Sequence, residues 1–230
     1  MKKLSSLYAV ALFCCATFDA QANAIITNPG PGMVVDFTAN VNAGYDFTVG
    51  STSLMVTALG LWDGPELIQG NLTGSAGDGF ASEHVIGLWD NSGNLLAKAV
   101  MQIGTGDTLI NGFRYSSALI PINPGPVILS ANTTYVLGAA FIANDPDTIR
   151  ANLSGNQATF DLAVIPGNAR GSFGSFSFPS LNDGPGSYVG PNALFTVANV
   201  PEGGNALLMM SGAVAVVFAL RFVMSSTRRV

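Results

Sequence analysis

Between residues 25 and 199 the sequence predicts an all-β fold, an antiparallel β-sandwich or jelly roll, flanked by an N-terminal signal helix and a single C-terminal transmembrane helix. Three observations carry the β prediction. Apolar and polar residues alternate in short runs, clusters of Gly, Pro, Asn and Asp separate those runs, and no stretch sustains a helical period for ten residues.

The order of elements begins with a leader. Lys2 and Lys3 precede an apolar run from Leu7 to Phe18, and Ala22-Asn23-Ala24 has the small-x-small pattern that signal peptidase reads. Residues 1–24 are therefore expected to be removed, with Ala20-Gln21-Ala22 as a competing cleavage point two residues earlier. Cys14 and Cys15 leave with the leader. The exported domain then has no disulfide to staple it, and its 175 or so residues must be held by their own core.

Strands are expected from Tyr45 to Val49, Ser53 to Leu59, and His84 to Trp89. Next comes a run in which Leu95, Ala97, Ala99, Met101 and Ile103 share one face while Lys98 and Gln102 take the other. Asp90-Asn91-Ser92-Gly93-Asn94 between these two runs reads as a hairpin loop with Gly93 left-handed. Further strands are expected from Gly112 to Ser116, Thr134 to Ile142, Ala158 to Val164, Ser175 to Phe178, and Leu194 to Ala198. The turns Asn28–Gly32, Asn123–Pro126 and Asn182–Gly186 combine residues of fixed negative φ with residues that tolerate a positive one, and read as punctuation rather than phosphate loops.

Charge and residue inventory exclude several functions. Four cations (Lys98, Arg114, Arg150, Arg170) stand against ten aspartates and two glutamates over residues 25–200, a formal charge of 4 minus 12, or −8. Nucleic acid is not expected as a partner. His84 is the only histidine, which excludes a multi-histidine zinc site and makes it the only base a Ser-His-Asp triad can use; beside Glu83 at a strand start, it reads as a surface or strand-end residue. No cofactor is expected. Asn144-Asp145-Pro146-Asp147-Thr148 gathers oxygen ligands, so Asp145 and Asp147 are calcium candidates, with Asp78 or Asp90 as further donors, although the same residues make ordinary turns. The sequons at Asn71, Asn132 and Asn152 are what a chain rich in Asn, Ser and Thr contains by chance.

A local echo, Gly60-Leu61-Trp62-Asp63 and Gly87-Leu88-Trp89-Asp90, suggests equivalent strand ends. Trp62 and Trp89 are glycan-stacking candidates, weighed against packing in the core or at the sandwich edge.

The tail is the most specific signal. Val200-Pro201-Glu202-Gly203-Gly204 leads into an apolar stretch from Ala206 to Met224 and then Ser225-Ser226-Thr227-Arg228-Arg229-Val230. Nineteen residues at the helical rise span about 28 Å, close to the hydrocarbon thickness of a bilayer. Arg221 near the end can reach the headgroups beside Arg228 and Arg229, and these arginines favour a cytoplasmic C-terminus. Motif, span and basic stop in that order resemble the PEP-CTERM class of bacterial protein-sorting signals. Val200–Gly204 is especially similar to the variant written Val-Pro-Asp-Gly-Gly, with Glu202 in place of aspartate and Gly203 where the parent motif has a second proline.

That resemblance implies an exosortase-type membrane enzyme that cuts near Pro201 to Gly204 and passes the domain to the envelope or matrix, so that this chain is a substrate rather than an enzyme. The bland reading of the same tail is a permanent single-span anchor. The central region, through Phe47–Gly50, Leu59–Asp63, His84–Asp90, Gly93–Ala97 and Asn132–Gly138, is similar to an uncharacterised bacterial extracellular β-sandwich family, a resemblance that implies a fold and no catalytic residues. The expected function is a non-catalytic envelope or extracellular-matrix protein that adheres to exopolysaccharide. The alternative is a secreted glycan hydrolase using paired carboxylates.

Overall fold

The computed structural model describes residues 22–30, 33–35, 37–68, 71–116, 118–152 and 158–198. The expected leader before residue 22 lies outside these residues, as do the motif Val200, Pro201, Glu202, Gly203 and Gly204, the span 206–224, and Arg228 and Arg229. Within them the chain is all-β, with no helix, so none is long and apolar enough to cross a membrane.

In chain order the first strands are β1 (Asn23–Ala24), β2 (Ile26–Asn28), β3 (Met33–Val35), β4 (Val41–Val49), β5 (Leu54–Trp62), β6 (Glu66–Ile68) and β7 (Asn71–Thr73). There follow β8 (His84–Asp90), β9 (Leu95–Met101), β10 (Thr108–Ile110), β11 (Phe113–Tyr115), β12 (Ile120–Pro121), β13 (Val127–Leu129) and β14 (Thr134–Phe141). The last are β15 (Ile149–Asn152), β16 (Thr159–Phe160), β17 (Val164–Phe173), β18 (Leu181–Pro185), β19 (Ser187–Val189) and β20 (Pro191–Val197).

The larger sheet runs β12-β9-β8-β14-β4-β17-β18, and the other runs β1-β20-β5-β11-β10 with β13 also on β5. All of these pairings are antiparallel. The chain moves from β4 in the large sheet to β5 in the other, back to β8 and β9, and so on, which brings apolar faces of both sheets into one core. The arrangement is consistent with a β-sandwich.

Alternation explains the core. Tyr45, Phe47 and Val49 of β4, Leu137, Ala139 and Phe141 of β14, and Ala97, Ala99 and Met101 of β9 all point inward and are buried. Each large aliphatic or aromatic side chain so removed from water contributes roughly 1.5–3 kcal/mol. Ile103, expected on the same face as Met101, lies beyond the strand and is exposed. In β5 the alternation changes phase: Leu54 and Val56 are buried, then Leu59 and Leu61. The register with β20 slips at the exposed Thr57, and this bulge turns both apolar pairs toward the same core.

The hairpin at 90–94 forms as the sequence predicts, with Gly93 at φ 86° joining β8 to β9. Two expected strands differ. From Ala158 to Val164 the strand is broken: Thr159–Phe160 is β16, a turn closed by Val164 N donating to Asp161 O at 3.1 Å leaves Leu162 in solvent, and Val164 already begins β17. From Ser175 to Phe178 there is no strand. Residues 174–180 instead form a strap, bent over 174–176, across the outer face of the large sheet.

The strap exists because that outer face is hollow. Gly87, Gly138 and Gly44 stand in register on β8, β14 and β4, and Pro179 and the Trp89 ring occupy the trough where Gly138 lacks a side chain. The Asn42 amide donates to Ser175 O at 3.0 Å and to Ser177 Oγ at 3.2 Å, and its oxygen accepts from Ser177 N at 3.1 Å. The alternating Ser/Phe pattern thus serves a surface strap, in which Phe176 and Phe178 lean on Trp89.

Candidate functional site

Several buried titratable residues gather where the loops after β5, β9 and β14 meet: Asp63, His84, Arg114, Asp145 and Asp147. His84, at the start of β8, is completely buried between Phe80 and Phe141, with ring centroids 5.5 and 4.9 Å away. Its Nε2 lies 2.9 Å from Asp147 Oδ2, and its Nδ1 lies 3.1 Å from the Ala140 carbonyl and 3.8 Å from Asp145 Oδ2. A carbonyl only accepts, so Nδ1 carries a proton, and a carboxylate partner holds a second proton on Nε2. Burial pulls the imidazolium pKa down, but the Asp147 hydrogen bond and the charges of Asp145 and Asp147 outweigh it, and the value is raised.

The two aspartates are equally occupied. Asp147 accepts from Ala81 N at 3.0 Å and Ser82 N at 2.8 Å, tying the approach to β8 onto the loop after β14. Asp145 accepts from Asp147 N and Ile142 N, both at 3.2 Å, and burial raises its carboxyl above the ordinary range against the pull of His84.

Asp145 and Asp147, the calcium candidates, thus come together with the histidine. The three offer ligand atoms within 4.8 Å of one another. Their chemistry suits a structural tie better than calcium, which takes about 6–8 oxygens, because an imidazole fills one side and backbone amides already hold the carboxylates. A base role for His84 is equally poorly served, since both ring nitrogens are engaged and none faces solvent.

A second buried ion pair lies beside the first. Asp63, after β5, accepts from Arg114 Nε and from Gly79 N, and Arg114 also donates to Thr105 O at 3.2 Å, Asp107 O at 3.0 Å and Gly77 O at 2.6 Å. Burial raises the Asp63 carboxyl, opposed by Arg114. One guanidinium therefore closes three loops at once. Asp78 nearby is turned onto Ser75 N at 2.8 Å.

Both glycan-stacking candidates are buried. Trp62 and Trp89 are each 3% exposed. Arg150 lies over the Trp62 ring with its guanidinium carbon 4.8 Å from the centroid, and Phe176 and Phe178 sit 5.4 and 6.1 Å from Trp89. Neither indole presents an open face to a sugar ring. At the leader boundary, Ala22 is exposed, whereas Asn23 and Ala24 pair with Phe195 and Leu194 of β20 and Ala24 is buried.

His84 and Asp147 are 63 positions apart, and no local pattern in the sequence links the start of β8 to the 144–148 loop. Comparison with protein-family models gives no match, and neither does comparison with curated proteins.

Proposed function

We propose that this chain is an exported, non-catalytic cell-envelope or extracellular-matrix protein, carried through the inner membrane by its leader and held by its tail before processing. The carrying observation is the order of Val200–Gly204, the apolar stretch 206–224 and the terminal arginines. Signal peptidase removes the leader, the tail helix holds the precursor in the membrane, and an exosortase-type enzyme reads Val200, Pro201, Glu202, Gly203 and Gly204. The antiparallel sandwich is the cargo.

The buried charges support a non-catalytic reading. His84, Asp63, Asp145 and Asp147 are ties between loops, with their polar atoms occupied and water excluded, which suits a domain that must hold together outside the cell without disulfides. The pairing of Asn23 and Ala24 with β20 favours cleavage after Ala22, since cleavage after Ala24 removes a strand that covers the edge of the sheet.

Intact-mass and peptide mapping of the protein recovered from its host envelope tests this. The expected mature form begins at Asn23 and ends between Pro201 and Gly204. A C-terminus still at Val230 sinks the sorting proposal in favour of a permanent anchor.

A further inference from the structure

At the edge formed by β17, β18 and β19, well apart in sequence from the His84 and Asp63 ties, the surface opens into a cavity of about 250 Å³. Phe37, Val41 and Tyr188 make its apolar wall, and Ser172, Asp183 and the Gly171 backbone line the polar side. Phe173 belongs to the lining and is 76% exposed, so a large aromatic face stands in water beside a concave site. Apolar residues of that size left exposed singly are common, but one placed at a cavity with convergent polar groups is informative.

The polar groups are positioned by the fold. Gly171 lets the Asp183 side chain lie across β17, because a Cβ at 171 would stand 2.9 Å from a carboxylate oxygen. Burial, then the charge and hydrogen bond of Asp183, push the Tyr188 phenol up to about 12, so it remains a donor at neutral pH. Asn42, also in the lining, is held by Ser175 and Ser177 of the strap, which fixes the floor.

We infer that this cavity binds one neutral sugar ring of a polysaccharide, with the C–H face of the ring on Phe173 and its hydroxyls donating to Asp183. The volume lies below the roughly 300–1,000 Å³ of sites for drug-sized molecules, which fits a single ring with its neighbours in solvent. No lysine or arginine lines the cavity and one carboxylate does, so uronic acids, phosphates and nucleotides meet repulsion. The aromatic wall supplies contact with the apolar face of a sugar, and the carboxylate accepts stronger hydrogen bonds than a neutral group. The inference deepens the matrix reading and rests on it, moving the contact with exopolysaccharide from the buried tryptophans to Phe173.

The test uses the full chain in detergent, titrated calorimetrically with gluco-, manno- and galacto-oligosaccharides and with an oligouronate. One neutral series is expected to bind, and Phe173→Ala and Asp183→Asn each to weaken it about tenfold while the melting temperature stays unchanged. Both positions are exposed, so neither variant endangers folding. Absence of binding by every neutral series, equal binding by the variants, or tighter binding of the oligouronate overturns the assignment. Terminus mapping stands apart from this result, so failure of the cavity and failure of the sorting proposal are separately visible.

Discussion

Two copies of Gly-Leu-Trp-Asp close β5 and β8, one in each sheet, and they diverge in their last residue. Leu61 and Leu88 are both fully buried in the shared core, and Trp62 and Trp89 are equally buried. Alternation sends each leucine and its tryptophan to opposite faces, and each indole is buried by its own cover, Arg150 over Trp62 and Phe176 and Phe178 against Trp89. Asp63, however, is buried against Arg114, 51 residues away, whereas Asp90 is only half-buried and accepts from Ser92 N and Asn94 N, both at 2.9 Å, and from the Asn94 side-chain amide at 2.8 Å. The Asn94 side chain and backbone bonds lower the Asp90 pKa. A tight loop offers Asp90 its amides locally, while the chain after Asp63 runs on through Gly64 and Pro65, and a distant cation completes the site. The same tetrapeptide thus ends as a hairpin cap in one place and a loop clamp in the other.

The largest expected effect separates these aspartates. Asp63→Ala leaves Arg114 buried and unpaired and is expected to cost about 3–5 kcal/mol in urea unfolding. Asp90→Ala should lower the melting temperature only slightly. Equal losses at the two positions would break the comparison.

Trp89→Ala is expected to cost a similar ~3–5 kcal/mol and also to loosen the strap, since Phe176 and Phe178 lose their support. Hydrogen exchange at the Ser177 amide, bonded to Asn42, should accelerate in Trp89→Ala and stay slow in Trp62→Ala. Parallel behaviour would mean the two indoles do the same job.

The glycines should differ more modestly. A Cβ on Gly87 collides with the Trp89 ring, so Gly87→Ala is expected to cost about 1–3 kcal/mol, with a blue or red shift of the Trp89 fluorescence as the indole moves. An unchanged spectrum together with unchanged stability would remove the trough as the reason for glycine there.

The smallest effect is a pH dependence confined to the Asp63 end, where His84 also lies. A histidine pKa raised in the folded state gives stability that is complete below its ordinary value of 6.5 and disappears as pH climbs through the folded value. As pH rises above about 6.5 the wild type should therefore lose stability, while His84→Gln, already weaker, changes less. Matching slopes in calorimetric melts would show that His84 does not carry the charge assigned to it.

Much of the all-β fold is legible locally. The hairpin at 90–94 follows from Asp90, Gly93 and Asn94 alone, and the buried face of β9 from alternation of Ala97, Ala99 and Met101. The Ser175–Phe178 pattern misled because period-2 alternation reports an extended chain with two unlike faces, and a strap over a glycine trough has those faces without ladder pairing. Of the site, Asp145 and Asp147 were visible as an acidic loop, but calcium was the only partner that residues 144–148 suggested by themselves.

Local sequence by itself determined the β class and most of the turns, because periodicity and backbone preference act over a few residues. Only the tertiary structure decided that His84 meets Asp147, that Thr57 bulges to rephase β5, and that Phe173 stands beside a cavity with Asp183. Those outcomes depend on which strands become neighbours when the two sheets close, and the energy of a buried charge or a filled trough exists only after that closure.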